Sequence, residues 1–95
     1  MKVSQVSNDF IISKLDEIND VFTFYSNEGL LTPYGEEKCN LEEALAEIAP
    51  DVKIIWENRS DNEVMVVRSD SDIFALYHYV NDGFAGCNIN HLFES

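Results

Sequence analysis

The sequence is poor in positive charge and in the residues that build disulfide or metal-bound scaffolds. Only six lysines and arginines stand against 18 aspartates and glutamates, which gives a formal net charge of −12. Such a charge repels a nucleic-acid backbone, so the composition excludes direct binding to nucleic acid. The two cysteines, Cys39 and Cys87, lie far apart without a CxxC motif or a pair of histidines. Neither a disulfide framework nor a metal site is therefore predicted.

Long apolar runs and glycine-rich loops are also missing. No stretch is long and apolar enough for a signal peptide or a membrane span, so we expect a cytoplasmic protein without a membrane partner. Four glycines in total leave no phosphate-binding loop. His78, His91 and Cys87 show no catalytic spacing, and Cys87 with His91 lacks the further ligands that a metal needs. The sequence predicts a protein that is not an enzyme and uses no cofactor.

The chain does contain enough apolar material for a folded core. Apolar residues make up 45% of the 95 positions, including six phenylalanines, four tyrosines and one tryptophan. This share is too high for a disordered acidic tail, and the length suits one hydrophobic core. We expect a single domain over residues 1–95.

Two patterns near the N-terminus predict a helix followed by a strand. Apolar residues recur at spacings of three and four over residues 8–19, with Asn8 available as the N-cap. The β-branched and aromatic run over 21–25 predicts a first strand, which is interrupted at 26–29 and resumed at 30–31.

A second helix is predicted over residues 41–48. Asn40 and Glu43 have the spacing of a capping box, Leu41, Leu45 and their neighbours form one apolar stripe, and Pro50 ends the helix.

The second half of the chain predicts an antiparallel meander. Strands are expected at 52–56, 63–68, 73–80 and 84–93, separated by polar loops and by the Asn81-Asp82-Gly83 turn. The whole pattern predicts an α+β fold, in which a single antiparallel β-sheet of about five strands has two helices packed against it.

Negative charge is concentrated in the middle of the chain. Residues 34–63 hold nine carboxylates and three basic side chains. Such a segment can be a solvated surface that keeps a small protein soluble. It can also imitate a row of phosphates and be attracted to a basic DNA-binding groove. Charge alone leaves both interpretations open.

Residues 61–70, Asp-Asn-Glu-Val-Met-Val-Val-Arg-Ser-Asp, carry a resemblance to a known family. Together with Phe74-Ala75-Leu76 and the turn at 81–83, they resemble the phage-encoded uracil-DNA glycosylase inhibitors, which have an Asp-Glu-Asn-Val-Met-Leu-Leu-Thr-Ser-Asp segment and a Trp-Ala-Leu strand. The upstream order is similar too, with a short helix, a first strand and an acidic helix. The resemblance implies an antiparallel sheet with two helices and one-to-one inhibition of the glycosylase by DNA mimicry.

The resemblance also implies contact residues. In that family a carboxylate-bearing edge of the first strand enters the enzyme's DNA groove, and an apolar pocket between helix and sheet captures the apolar side chain that the enzyme inserts into DNA. By position, the phosphate-mimicking residues here are Ser26, Asn27 and Glu28 on the first strand, Glu42, Glu43 and Glu47 on the acidic helix, and Asp70 in a turn. The pocket residues are Leu41, Leu45, Ile48, Ile54, Met65, Val67 and Leu76.

The chain departs from the family pattern at two places. The family's Gln-Glu-Ser-Ile run on the first strand is replaced by residues 25–28, where Glu28 is the expected mimic of the key phosphate. Residues 34–40 have no counterpart before the acidic helix, and either extend the mimic or form a loop.

Two other readings of the charge remain open. The same electrostatics would suit an immunity protein against a nuclease toxin, or a protein that blocks a restriction or CRISPR complex. A non-inhibitory acidic adaptor would instead use Trp56, Tyr77 and Tyr79 at a protein interface.

Overall fold

The fold is known from a computed structural model that describes residues 2–34, 40–58, 64–79 and 83–94. These residues form three α-helices and five strands: α1 Asn8–Ile12, α2 Leu15–Asn27, β1 Thr32–Tyr34, α3 Leu41–Ile48, β2 Lys53–Glu57, β3 Val64–Arg68, β4 Ile73–Tyr79 and β5 Gly83–Asn88. Short 3₁₀ turns lie at Val3–Gln5 and Asn90–Leu92. No helix in the described ranges is long and apolar enough to cross a membrane.

All five strands belong to one antiparallel sheet in the order β1-β5-β4-β3-β2. Strands β2 to β5 form the predicted meander, and β1 pairs with the outer edge of β5. The predicted α+β fold with a single antiparallel sheet is therefore confirmed. One irregularity was not predicted: Ile55 is an extra residue in β2, because Ile54 pairs with Val67 while Trp56 pairs with Val66.

The two faces of the sheet pack against different helices. Successive strand residues point to opposite faces, so Val66 and Val67 belong to separate clusters. The first, called here the α2 cluster, joins the N-terminal segment, α1 and α2 to the sheet through Val3, Val6, Ile11, Ile18, Phe22, Val66, Ile73, Ala75, Cys87, Ile89 and Phe93. The second, called the α3 cluster, has Ala44, Met65, Val67, Leu76 and Phe84 as its buried members. The helices therefore lie in two layers with the sheet between them.

The predicted strand over 21–25 is wrong, because these residues continue helix α2. Ile18, Phe22 and Tyr25 keep the spacing of three and four that places apolar side chains on one helical face. The helix ends in a Schellman motif, in which the N–H of Leu30 donates to the Tyr25 carbonyl at 2.8 Å and Gly29 has a φ of 69°. Strand β1 begins only at Thr32.

The predicted helix over 8–19 is divided into two. The Ser13 hydroxyl donates to the Phe10 carbonyl at 2.5 Å, and Lys14 has φ −108° and ψ 23°, outside the helical region. A side chain that satisfies a backbone carbonyl at this point favours the break between α1 and α2.

Helix α3 has the predicted bounds. The side chain of Asn40 accepts a hydrogen bond from the Glu43 N–H at 2.8 Å, which confirms Asn40 as the N-cap. The helix ends at Ile48, two residues before Pro50.

The strands of the meander are confirmed within a residue or two, except at the end of β5. This strand stops at Asn88, and the chain turns so that Asn90 accepts from the Ile73 N–H at 2.7 Å and donates to Asp72 at 2.8 Å. Gly83 has the predicted positive φ, at 81°. Most of the loops at 57–62 and 34–40 lies outside the described residues, as do Asn81 and Asp82.

Gly86 lies where β4 approaches β5 closely. A Cβ at this position would overlap the carbonyl oxygen of Ala75 and press on the Leu76 side chain. The close pairing of the two strands beneath the α3 cluster therefore requires glycine.

Candidate functional site

All seven residues of the predicted apolar pocket lie in the α3 cluster. Met65, Val67 and Leu76 are buried members, while the other four are partly buried against them. The partly buried residues are Leu41, Leu45, Ile48 and Ile54. The structure therefore brings the seven side chains together between α3 and the sheet.

Two periodicities produce this arrangement. On α3, Leu41, Leu45 and Ile48 repeat at helical spacing and face the sheet around the fully buried Ala44. On the strands, every second residue points toward α3, as Met65 does. Small Ala44 lets the helix approach the sheet closely, while the larger side chains around it remain partly open to solvent.

The outer side of α3 carries the predicted carboxylates. Glu42, Glu43 and Glu47 are all exposed, and α3 contains no lysine or arginine. Glu42 and Glu43 lie in the first turn, where the helix dipole favours negative charge. These three side chains are called here the acidic α3 surface.

Asp70 extends this surface at the far end of α3. It lies exposed in the turn between β3 and β4, and its N–H donates to Oδ2 of Asp51 at 2.9 Å. Asp51 lies three residues after the last residue of α3 and is itself exposed, so two carboxylate-bearing residues meet at this point. Asp51 was not among the predicted contact residues. No local pattern could have paired it with Asp70, because 19 residues separate them.

The predicted placement of Ser26, Asn27 and Glu28 on a strand edge is wrong. Ser26 and Asn27 are the last residues of α2, and Glu28 is its C-cap, with an N–H that donates to the Phe24 carbonyl at 3.0 Å. All three are exposed, but they belong to the helix layer on the face opposite α3. The structure thus divides the predicted phosphate-mimicking residues between two layers.

Arg68 does not neutralise these carboxylates. Its guanidinium donates to the Val6 carbonyl at 2.5 Å, to Oδ1 of Asn8 at 3.0 Å and to the Val3 carbonyl at 2.9 Å. The side chain therefore fastens the N-terminal segment to β3 on the α2 side. The segment's carbonyls, rather than a carboxylate, compensate its charge.

Two of the three groups considered for catalysis, Cys87 and His78, are engaged in packing. Cys87 is 3% exposed, and burial raises the pKa of its thiol to about 11, so the thiol stays protonated near neutral pH. The His78 ring stacks on Phe84 with centroids 4.5 Å apart, and His91 is exposed in the last 3₁₀ turn. Among the described residues there is no group of three or more side chains suited to hold a metal ion.

Two of the three aromatic residues of the adaptor hypothesis, Trp56 and Tyr77, pack on the α2 side. Trp56 and Tyr77 are partly buried against the α2 cluster, where Tyr77 contacts Phe22 with ring centroids 5.8 Å apart. Trp56 lines a small cleft of about 70 Å³ between α2 and strands β2 and β3. The side chain of Tyr79 lies outside the described part of the chain.

Comparison of the chain with known protein families, curated proteins and solved structures gives no match. What the site can do follows from its own chemistry. Exposed carboxylates attract cations and accept hydrogen bonds from amide, hydroxyl and guanidinium donors. The partly buried apolar layer beneath them offers contact that does not depend on charge.

Proposed function

We propose that this protein is an acidic DNA mimic that binds uracil-DNA glycosylase one to one and inhibits it by occupying its DNA-binding groove. The observation that carries the proposal is the α3 layer. All seven residues of the implied apolar pocket form one cluster there, directly beneath the exposed carboxylates of the acidic α3 surface.

The acidic α3 surface supplies the imitation of phosphates. Glu42, Glu43 and Glu47, with Asp70 at the end of the helix, take the hydrogen bonds that a glycosylase gives to the DNA backbone. Charge-assisted bonds of this kind are stronger than neutral ones. The net charge of −12 also steers the protein toward a basic groove and raises the association rate at low salt.

The α3 cluster supplies the apolar contact. An apolar side chain of the enzyme meets the partly buried Leu41 and Leu45, which lie over the buried Met65, and the flexible thioether of Met65 lets the cluster adapt to the inserted group. Burying a side chain of leucine size contributes about 1.5–3 kcal/mol. Salt has little effect on this contribution, which complements the salt-sensitive carboxylates.

The proposed role is stoichiometric binding. The protein performs no reaction and uses no cofactor, metal or nucleic acid. It acts in the cytoplasm of a bacterial host cell, where it removes the glycosylase from base excision repair.

A second target class is favoured by the position of Ser26, Asn27 and Glu28. The resemblance implies carboxylates on a strand edge, but β1, the edge strand beside β5, consists of Thr32–Tyr34 and bears none. The same acidic α3 surface would fit the groove of another nucleic-acid enzyme, such as a nuclease toxin or a restriction or CRISPR complex.

Titration of uracil excision tests the proposal. A bacterial family-1 glycosylase is held at fixed concentration with a uracil-containing duplex, and a DNA-cleaving nuclease is titrated in parallel. We expect excision to fall linearly and to end at about one protein per enzyme, with the nuclease unaffected. Full excision at large excess of the protein would contradict the glycosylase assignment, and inhibition of the nuclease alone would favour the second class.

A further inference from the structure

The C-terminal end of α2 exposes two apolar side chains, and backbone hydrogen bonds at the end of the helix fix their positions. Phe24 is 57% exposed and Leu30 is 56% exposed. The Schellman motif fixes Leu30 beside the last turn, because the N–H of Gly29 also donates to the Ser26 carbonyl at 3.2 Å. A hydrophobic contact between the residue after such a cap and the last turn is typical of the motif. The hydrogen bonds therefore hold Phe24 and Leu30 at defined positions at the end of the helix.

The charged residues that flank Phe24 along α2 are both negative. Asp20, Phe24 and Glu28 follow each other at intervals of four, so the ring lies between two exposed carboxylate-bearing residues on one helical row. The last turn of α2 has no basic residue. The negative end of the helix dipole adds to the same field. Each of these features favours a cation at the Phe24 ring.

Another exposed phenylalanine of the chain already has such a cation. Phe10 is 45% exposed, and Lys14, four residues later, places its Nζ 5.4 Å from the centroid of the Phe10 ring. Four residues after Phe24 the chain has Glu28 instead. The Phe24 ring makes an edge contact with Tyr25 at 6.1 Å, and no lysine or arginine of the described ranges lies over it.

We propose that Asp20, Phe24, Glu28 and Leu30 bind an arginine side chain on a basic segment of the protein partner. A planar guanidinium can stack on the Phe24 ring while its N–H groups donate to the carboxylates on either side, which a lysine ammonium does less well. Its apolar stem would cover Leu30. This proposal rests on the proposed function only in that the partner is a protein with a basic DNA-binding surface.

The surface can serve the same partner as the acidic α3 surface. Helix α2 contacts β5, and the chain passes from the end of this helix through Leu30 into β1 at Thr32. Helix α3 contacts β1 and β5, so α3 and the end of α2 both lie near the edge of the sheet that β1 forms. A partner that closes around this edge would touch α3 on one face and the end of α2 on the other. Glu28, which lies at the end of α2 and not on a strand edge, would then still contact the partner.

A peptide titration followed by NMR tests the inference without any enzyme. The full ¹⁵N-labelled chain is titrated with an acetylated, amidated pentapeptide of alternating glycine and arginine, and with its citrulline counterpart as the neutral control. We expect arginine-dependent shifts concentrated in residues 20–30. Phe24→Leu and Glu28→Gln should each weaken binding about two- to five-fold. Phe10→Leu, which alters the ring that Lys14 covers, should leave the affinity unchanged.

Three results would overturn the inference. Shifts spread evenly over all the acidic residues would show counterion binding only, and equal binding of the citrulline peptide would show a merely apolar surface. Concentration-dependent shifts at Phe24 without peptide would show that a second copy of the chain covers it. The titration contains no glycosylase. A response to arginine localised to residues 20–30, together with a failure to inhibit the glycosylase in the excision assay, would therefore contradict the proposed function but not this inference.

Discussion

The two faces of the sheet differ in how completely they are closed. Among the described residues, eleven buried side chains form the α2 cluster, which joins the N-terminal segment, two helices and the last 3₁₀ turn to the sheet. Five described buried side chains form the α3 cluster, beneath a single helix of eight residues whose larger apolar side chains remain partly open. More of the described apolar side chains are therefore buried on the α2 face, and we expect that face to contribute more to stability. Under the proposed function, the α3 face presents carboxylates and apolar surface to the glycosylase.

The largest expected effect is the loss of stability on substituting a core residue, and it should differ between the two faces of the sheet. Ile18 is 2% exposed in the α2 cluster, so Ile18→Ala should lower the free energy of unfolding by about 2–5 kcal/mol. Leu45 is partly buried, and Leu45→Ala should cost about 1–2 kcal/mol because the cavity it leaves is partly solvated. Urea denaturation of both variants measures the difference. Equal losses would show that α3 is as essential to stability as α2.

The next largest effect is the loss of stability when the hydrogen bonds that Arg68 makes to the N-terminal segment are removed. Arg68→Met keeps the side-chain stem but removes the guanidinium that binds Val3, Val6 and Asn8, and should cost about 1.5–3 kcal/mol. The matched control is Lys53→Met at the paired position on β2, which is exposed and should change stability by less than about 0.5 kcal/mol. Urea midpoints compare the two variants. A loss no larger than that of the control would contradict the role of Arg68 in closing the α2 face.

A pH dependence should reveal how well the α2 face excludes water. Burial raises the pKa of Cys87 to about 11 in the folded protein, above its ordinary value of 9.0. The neutral thiol therefore stabilises the fold fully below about pH 9, and this contribution is lost as the pH rises toward 11. The loss is on the order of 2 kcal/mol. Cys87→Ala should flatten the stability curve between these limits, and an unchanged slope would contradict the assignment.

The smallest effect compares two helix caps on opposite faces. The Asn40 side chain accepts from the N–H of Glu43 at the start of α3, and Ser7 Oγ accepts from the N–H of Phe10 at the start of α1. Asn40→Ala and Ser7→Ala should each cost about 1 kcal/mol of stability. Only Asn40→Ala should weaken glycosylase inhibition, because it loosens the helix that carries the acidic α3 surface. Equal inhibition by both variants in the excision assay would contradict that link.

Much of the α3 layer could be predicted from local sequence signals. Asn40 and Pro50 mark the ends of the helix, and alternating apolar residues such as Met65 and Val67 mark the strand beneath it. The second half of α2, residues 21–25, is predicted as a strand because its aromatic and β-branched residues have high strand propensity, although their spacing is helical and Gly29 is a typical helix-ending residue. Packing of the α2 cluster overrides that propensity. Long-range pairs such as Asp51 with Asp70 leave no local signal.

The most direct test of DNA mimicry removes equal charge from the two faces. One variant carries Glu42→Gln, Glu43→Gln and Glu47→Gln on α3, and the other carries Asp9→Asn, Asp16→Asn and Glu17→Gln on α1 and α2. Both sets lose three exposed carboxylates, so the net charge changes alike. In a competition assay against uracil-containing DNA, the α3 variant should inhibit the glycosylase at least about tenfold more weakly, because charge-assisted hydrogen bonds are lost. The control should stay within about twofold of the parent protein. Equal weakening of both variants would show that bulk charge, rather than the acidic α3 surface, drives binding and would contradict the proposed mimicry.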